Sequence, residues 1–267
     1  NKYFLQWITD GDALTGAYTK DSVLFETTIT EPATPIKTGY TFAGWNAPIP
    51  PTMPATDKTF TATWTANTNT PYVVKHYRQA LDGTYPAALM ETENLTGTTA
   101  TKVTPVVKTY TGFTSPAPKE TTILADGSTV VEYYYTRNQY TLTWVTDGDA
   151  LTGSYTKGLV LYEAPITQPN TPTKTGYTFA GWNDAVAATM PTTNKTFTAT
   201  WDANQYTITL DKQGGTGGTS SVLVTFDQTL PTIIAPTRIG YTFAGYYDAV
   251  EGNGTPYYNN SGVGLLI

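Results

Sequence analysis

The sequence predicts a mainly β protein that is built as a tandem array of small modules with at most short helices. Threonine makes up about a fifth of the chain, and this β-branched residue suits a pleated, half-exposed surface. Apolar and polar residues alternate along several short segments, whereas no helical periodicity is sustained over ten or more residues. A long block of residues also recurs along the chain, which is typical of repeat proteins.

The recurrence divides the chain into four expected modules. Residues 3–67 align without a gap on residues 140–204, and about two thirds of the positions are identical. A diverged third copy begins at Gln205, carries Tyr246 in place of a tryptophan and lacks the closing Phe-Thr-Ala-Thr-Trp block. We therefore expect a first repeat (residues 1–67), a middle module (68–138), a second repeat (139–204) and a last module (205–267) that is truncated and has no closing strand.

Strands are predicted wherever one side of a segment is apolar and the other is not. In residues 58–64, Phe60, Ala62 and Trp64 alternate with threonines, as in a half-buried antiparallel strand. Residues 140–145 show the same pattern. Asp-Gly at 126–127 indicates a turn before another strand, and residues 87–91 are the best candidate for a turn or two of helix. The joints at 65–67 and 202–204 are too short to act as flexible linkers, so neighbouring modules should have restricted mutual motion.

Composition excludes several classes of function. The chain has 15 basic and 21 acidic residues, a net charge of −6 and no dense Lys/Arg cluster, so nucleic acid is not an expected partner. The absence of cysteine excludes disulfides, zinc thiolate sites and thiol nucleophiles. No apolar stretch approaches 18 residues, so direct membrane insertion is not expected. The start is neither an initiator Met nor a signal peptide, and we expect a piece of a longer protein.

His76 is the single histidine of the chain. A site with several histidine ligands is therefore impossible, and a Ser-His-Asp triad could form only through this residue. A lone histidine in a strand is expected to have a structural role or to lie on the surface. We expect no catalytic residues, no cofactor and no enzymatic activity.

Two pairs of carboxylates are the candidate metal ligands. Asp10 with Asp12, and Asp147 with Asp149, lie two positions apart in an expected loop, a spacing that calcium ligands can use. Asp-Gly is also a turn signal, and too few acidic residues follow to complete the six or more oxygens of a calcium site. We expect turns here, with calcium as the alternative.

The recurring glycines and aromatic residues are expected to have structural roles. The glycines should permit a left-handed turn, a bulge or a close approach of the backbone, while the aromatic side chains fill small cores. The alternative makes Trp45 and Trp182 exposed platforms for sugar stacking. The glycine-rich residues 213–218 lack the ending of a phosphate-binding loop and are expected to form a hairpin loop. The motif residues are Gly39, Phe42, Gly44, Trp45, Trp64, Gly176, Phe179, Gly181, Trp182 and Trp201.

Three consecutive tyrosines mark a strand of the middle module. Alternation places Tyr133 and Tyr135 on one face and Tyr134 on the other. A packed strand is the simpler expectation. The alternative is that Tyr133 and Tyr135 form an exposed pair that contacts a glycan or a protein.

These motifs resemble known families. The copies with Gly-Tyr-Thr-Phe-Ala-Gly-Trp at 39–45 and 176–182, each closed by Thr-Ala-Thr-Trp, resemble the Listeria-Bacteroides repeat, also called the internalin B-repeat. The middle module, with Val-Lys-His-Tyr at 74–77 and the tyrosine strand, is similar to mucin-binding-protein-like (MucBP) modules. The resemblance implies β-grasp-like modules in cell-wall-associated or secreted proteins of Gram-positive bacteria, which serve as spacers, adhesin stalks or ligand-binding units without catalytic residues.

Two functions follow as hypotheses. The first is an elongated, monomeric adhesin stalk or spacer at the cell surface; modules about 28 Å across would reach about 110 Å in a row of four. The second is binding of host or neighbouring-cell glycans or surface proteins by the middle module. An enzyme would need convergent carboxylates, and no spacing in the sequence nominates a pair.

Overall fold

The computed structural model describes residues 1–265, so that Leu266 and Ile267, the end of the expected last module, lie outside the described residues. The chain forms two compact units, Asn1–Asn138 and Gln139–Ile267. The prediction of a mainly β protein with at most short helices is confirmed, because the helices of the described residues are two single 3₁₀ turns, Ala87–Leu89 and Val250–Gly252.

The first repeat folds into a four-stranded sheet of order β2-β1-β4-β3. Strand β1 pairs antiparallel with β2 and parallel with β4, and β4 pairs antiparallel with β3. This mixed order is the one expected of a β-grasp-like module, with irregular chain between β2 and β3. The strands are β1 (Lys2–Ile8), β2 (Asp21–Leu24), β3 (Tyr40–Trp45) and β4 (Lys58–Ala66).

The middle module has the corresponding sheet order, β6-β5-β10-β8, with the same pattern of antiparallel, parallel and antiparallel pairs. The Ala100 amide donates to the Ile123 carbonyl at 2.9 Å, as the Glu26 amide donates to the Met53 carbonyl at 2.9 Å in the first repeat. The module therefore follows the chain course of the repeats despite its different sequence. Its strands are β5 (Thr70–Arg78), β6 (Met90–Gly97), β7 (Lys102–Val103), β8 (Phe113–Thr114), β9 (Thr121–Thr122) and β10 (Val130–Arg137).

The second unit begins with the second repeat, whose sheet order β12-β11-β14-β13 reproduces that of the first. In the last module the strands form two separate two-stranded sheets, β15-β16 and β17-β18. The strands are β11 (Gln139–Val145), β12 (Gly158–Leu161), β13 (Tyr177–Trp182), β14 (Lys195–Ala203), β15 (Gln205–Thr209), β16 (Ser221–Thr225), β17 (Gly245–Tyr247) and β18 (Pro256–Asn259).

A short closing strand is present in the last module, although the sequence predicts none. Tyr258 in β18 pairs with Tyr246 in β17, the place that Ala62 holds opposite Trp45 in the first repeat. The strand covers four residues, compared with nine in β4. The buried Tyr258 ring provides the apolar contact that the missing Phe-Thr-Ala-Thr-Trp block would have supplied.

Each of the four segments has its own small core. The predicted alternation is confirmed in β4, where Phe60 and Ala62 are buried while the threonines face outward. This arrangement buries apolar area on one face of each sheet and leaves hydroxyls on the other. The buried clusters are Leu5, Trp7, Val23, Ile29, Met53 and Phe60; Tyr72, Val74, Ile123, Val131, Tyr133 and Tyr135; Leu142, Val160, Met190 and Phe197; and Leu210, Ile233 and Tyr258.

Candidate functional site

The glycine and aromatic motif of the repeats lies at the β3–β4 edge of the sheet. Gly44 has a φ of 116° and lies where the register between β3 and β4 shifts, so it forms a β-bulge. Trp45 packs edge-to-face on Trp7, with ring centroids 4.7 Å apart, and Phe42 packs edge-to-face on both Trp45 and Trp64. Because the aromatic rings engage one another, this geometry favours a packing role over a sugar platform.

The second repeat reproduces this arrangement. Gly181, with a φ of 132°, forms the bulge, and Trp182 packs on Trp144 at 4.7 Å. Phe179 contacts Trp182 and Trp201 edge-to-face, at 5.3 and 5.7 Å. The two copies therefore use corresponding residues for the same contacts, and the half-buried Trp182 ring is engaged by its aromatic neighbours.

The joint between the first repeat and the middle module is built around Asn67. Its amide donates to the Gly39 carbonyl at 2.9 Å, its side-chain oxygen accepts from the Thr41 hydroxyl at 2.7 Å, and its carbonyl accepts from the Thr99 amide at 2.9 Å. Gly39 has a φ of 77°, and a Cβ there would lie 2.7 Å from the Ala125 carbonyl oxygen. One asparagine thus connects the two modules, and glycine is required at the contact.

The joint inside the second unit repeats this design around Asn204. The Asn204 amide donates to the Gly176 carbonyl at 2.9 Å, and its carbonyl accepts from the Phe226 amide at 2.9 Å. Gly176 packs directly on the Phe226 ring, since a Cβ there would lie 2.3 Å from ring carbon Cδ1. The Tyr177 hydroxyl reaches Asp227 at 3.1 Å. The last module is therefore connected to the second repeat by hydrogen bonds and aromatic packing.

The first carboxylate pair lies in a turn that is hydrogen-bonded to the segment preceding β3. Asp10 accepts from the Lys37 ammonium at 2.5 Å, and this hydrogen bond lowers the pKa of the Asp10 carboxyl. The Asp12 amide donates to the Ile36 carbonyl at 2.7 Å. Gly11 allows the close approach, because a Cβ there would lie 2.3 Å from the Ile36 oxygen.

The second carboxylate pair makes corresponding contacts in the second repeat. Asp147 accepts from Lys174 at 2.8 Å, which lowers the pKa of the Asp147 carboxyl, and Asp149 accepts from the Thr173 hydroxyl at 2.6 Å. In residues 1–265, no three His, Asp or Glu side chains lie together in a group that could hold a metal ion.

The face of strand β10 that carries Tyr133 and Tyr135 is turned toward the core of the middle module and away from solvent. Tyr133 and Tyr135 are both 0% exposed, so the hypothesis that they contact a ligand is wrong. They face the core because the loops between β6 and β10 cover that side of the sheet. The Tyr133 hydroxyl donates to the Pro105 carbonyl at 2.8 Å, and the Tyr135 hydroxyl accepts from the Lys108 amide at 2.9 Å.

His76 belongs to the same buried layer. Its Nδ1 lies 2.8 Å from the Tyr135 oxygen, and the side chain is 0% exposed. That oxygen also accepts from the Lys108 amide at 2.9 Å. The other ring nitrogen, Nε2, lies 3.5 Å from a Glu93 carboxylate oxygen. The residue fills a structural position in the core.

An ion cluster lies beside this layer at the edge of the sheet. The Lys108 ammonium contacts Glu91 at 2.5 Å and Glu93 at 2.6 Å, and Tyr110 donates to Glu91 at 2.7 Å. These hydrogen bonds lower the pKa of both carboxyls and raise the pKa of Lys108. The cluster fixes the loop that covers Tyr135.

The uncovered face of the middle sheet carries a different group of tyrosines, which we call the tyrosine patch: Tyr77, Tyr85 and Tyr134. Tyr77 and Tyr134 stack at 5.0 Å with nearly parallel rings, and Tyr85 meets Tyr134 edge-on at 5.1 Å. The Tyr77 and Tyr134 hydroxyls both donate to Glu132, at 3.2 and 2.9 Å. Lys119 lies 5.9 Å from the centroid of the Tyr134 ring. The patch is an ordered, partly exposed aromatic surface.

Two features were not predicted from the sequence, namely the asparagines of the joints and the tyrosine patch. Asn67, Asn138 and Asn204 each follow a closing strand directly, and each is followed by the next module. Asn138 also bonds a Gly-aromatic-Thr segment, since its amide donates to Gly112 and its side chain accepts from Thr114. The recurrence of asparagine at these three positions is visible in the sequence and could have predicted a shared role at the module joints. Stacking of Tyr77 on Tyr134 needed the parallel pairing of β5 with β10.

Small β modules with separate cores, closely joined within each unit, define a tandem repeat region. The chain belongs to the Listeria-Bacteroides repeat domain family, whose model matches residues 3–75, 140–204 and 206–265. The expected family of the three copies is thus confirmed, whereas the MucBP resemblance of the middle module stays a prediction. None of the helices in the described residues is long and apolar enough to span a bilayer.

The chain is similar to segments of longer proteins. It is 40% identical over 96 residues to internalin H of Listeria monocytogenes serovar 1/2a, covering 33% of this chain and 17% of that protein. It is 24% identical over 243 residues to a protein of Evansella cellulosilytica whose name describes it as a Gly-rich membrane protein, covering 79% of this chain and 28% of that protein. The chain therefore spans less than a third of these relatives.

Proposed function

We propose that the chain is a non-catalytic repeat region of a bacterial cell-surface or secreted protein, in which each of the four expected modules is a domain of a stalk or spacer. The family membership and the similarity to internalin H support the surface assignment. A spacer transmits position only if its modules do not hinge freely. The observation that carries the proposal is the joint, where Asn67 and Asn204 make hydrogen bonds to both of the modules that they connect.

The joint supplies stiffness through three features. A direct backbone hydrogen bond crosses it, a left-handed glycine packs against the next module, and there is no intervening linker. Rotation at the joint would break the hydrogen bond that the Thr99 or Phe226 amide donates across it. Each partly buried polar group left unpaired would cost about 1–3 kcal/mol. The two modules of a unit should therefore move as one body on the nanosecond timescale.

The test is backbone ¹⁵N relaxation on the full chain. We expect the same rotational correlation time for the first repeat and the middle module, and likewise for the second repeat and the last module. The Gly176→Ala variant, whose Cβ would lie 2.3 Å from the Phe226 ring, should separate the correlation times within the second unit; the control is Gly158→Ala, where no atom lies within 4 Å of the Cβ position. Independent tumbling of neighbouring modules in the unchanged protein would contradict a spacer. Labelling of intact source bacteria with an antibody against the chain tests the surface assignment.

A second candidate function is recognition of a glycan or surface protein by the middle module. The tyrosine patch favours it, because Tyr rings supply rigid amphipathic contact area with hydroxyls already oriented by Glu132. Binding of the full chain to a glycan and protein panel should be lost in Tyr134→Ala. The control is Tyr241→Ala, which removes an exposed tyrosine of the last module. Equal loss in both variants, or no binding at all, would exclude this role.

A further inference from the structure

The last module contains a groove that has no described role. It has a volume of about 680 Å³ and opens between the end of β15 and the β17–β18 hairpin. Small-molecule sites usually measure about 300–1,000 Å³ and have mostly apolar walls with a few polar groups. The groove is thus large enough for a compact organic ligand.

The groove lies where the repeat has lost its tryptophans. Leu210 holds the position of Trp7, and Tyr246 holds that of Trp45, which pack on each other at 4.7 Å in the first repeat. The parallel pairing of β1 with β4 has no counterpart between β15 and β18 in the described part of the last module. Smaller side chains and an open sheet therefore leave this space.

The walls of the groove are aromatic and acidic. Five aromatic rings contribute to them, namely Phe243, Tyr246, Tyr247, Tyr257 and Tyr258. Three carboxylates, Asp211, Asp248 and Glu251, lie on the same walls with one ammonium, Lys212. That ammonium donates to the Gly218 carbonyl at 3.2 Å and to the Ser220 hydroxyl at 3.0 Å. The formal charge of the lining is therefore negative, and its single cation is already engaged.

Two buried hydroxyls in these walls have no partner among the described residues. They belong to Tyr246 and to Tyr258, whose side chain is 1% exposed. Burial raises the pKa of both phenols, and the Asp211 charge also raises that of Tyr246, so both remain protonated donors at neutral pH. Each buried unpaired hydroxyl costs the module free energy on the wall of the groove.

We propose that this groove binds an organic ammonium group, held by cation–π contact with the tyrosine rings and by the charge of Asp211, Asp248 and Glu251. Aromatic walls favour a cation that carries alkyl groups, because it loses little hydration when it lies on a ring. An anion would meet three carboxylates without a free cation. A bare metal ion would need six or more oxygen ligands, in the case of calcium, rather than ring faces.

The test measures binding to the full chain by ¹H–¹⁵N NMR titration. The probes are choline, its neutral isostere 3,3-dimethylbutan-1-ol, a methyl glycoside and a short peptide with a trimethylated lysine. We expect choline to shift the amides of Asp211, Tyr247 and Glu251 and to bind about tenfold more tightly than the isostere. If the peptide also binds, a polypeptide side chain is a source of the ammonium group; if choline alone binds, the source is a free small molecule.

Variants locate the site. Glu251→Gln removes one charge without changing shape and should weaken choline binding about threefold, as for one exposed charge at close range. Tyr247→Leu removes one aromatic ring from the wall of the groove and should weaken choline binding further. No hydrogen bond of the Tyr247 hydroxyl is found among the described residues, so the ring is the group that this variant tests. Asp202→Asn, an exposed carboxylate on β14 outside the groove, should have no effect. Equal binding of choline and its isostere, tighter binding of the glycoside, no binding, or equal loss in Asp202→Asn would each overturn the proposal.

Discussion

Substitution of Gly39 tests the joint most directly. An alanine Cβ at this position would lie 2.8 Å from the Ala125 Cβ, which is about 0.7 Å inside normal carbon contact. The backbone must also keep a φ of 77°, which costs a non-glycine residue about 1–2 kcal/mol. Relief of the overlap adds about 1–3 kcal/mol, because the opposing atoms include Ala125 backbone. The Gly39→Ala variant should therefore destabilise the joint by about 2–5 kcal/mol.

Native-state hydrogen exchange of the Thr99 amide is the appropriate assay, since this group crosses the joint to Asn67. At the lower bound, exchange should accelerate roughly thirtyfold, while strands β5 and β10 keep their protection. Gly240→Ala is the matched control. Gly240 occupies the corresponding position of the last module with a φ of 81°, yet no atom lies within 4 Å of its Cβ position.

The control variant should lose only the backbone contribution, about 1–2 kcal/mol, within the last module, and it should leave the Thr99 amide unchanged. Unaltered exchange of the Thr99 amide in Gly39→Ala would refute the reasoning. It would mean that the joint is already open in solution, and that the close packing of Gly39 on Ala125 does not connect the modules.

Three further predictions concern the cores and the ion cluster. Tyr135→Phe should lower the free energy of unfolding of the middle module by about 1–3 kcal/mol, because His76 loses its buried partner; denaturant melts with the exposed Tyr134→Phe as a control would check this. Met190→Ala should lower the free energy of unfolding of the second repeat by about 2–5 kcal/mol in the same assay, because the Met190 side chain is buried. A smaller loss of stability would imply that the core collapses around the cavity. The pKa of Glu91 in the folded protein lies below its usual value of 4.5, so the stabilisation that Glu91 provides is complete above pH 4.5 and is lost as the pH falls further. Glu91→Gln should therefore reduce the loss of stability at acid pH in pH-dependent melts. An unchanged loss of stability at acid pH would contradict this prediction.

Local pattern predicted the strands well, but it left open which face of the tyrosine strand is buried. In β4 the alternation of Phe60 and Ala62 with threonine leaves one apolar face, so the buried side is evident from the sequence. In β10 both faces carry tyrosine, and hydrophobicity does not distinguish Tyr133 from Tyr134. The choice depends on where residues distant in sequence, such as Lys108, cover the sheet.

The recurring block determined by itself that the protein is an array of β modules with glycine and tryptophan at fixed places, because period-2 alternation and exact spacing are local properties of the chain. Tertiary structure alone decided how these residues are used. Long-range pairing gave the middle module the same sheet order as the repeats, turned Asn67 and Asn204 into bridges between modules, and opened the groove beside Tyr246. Each of these features depends on atoms brought together from distant segments, whose register no local pattern encodes.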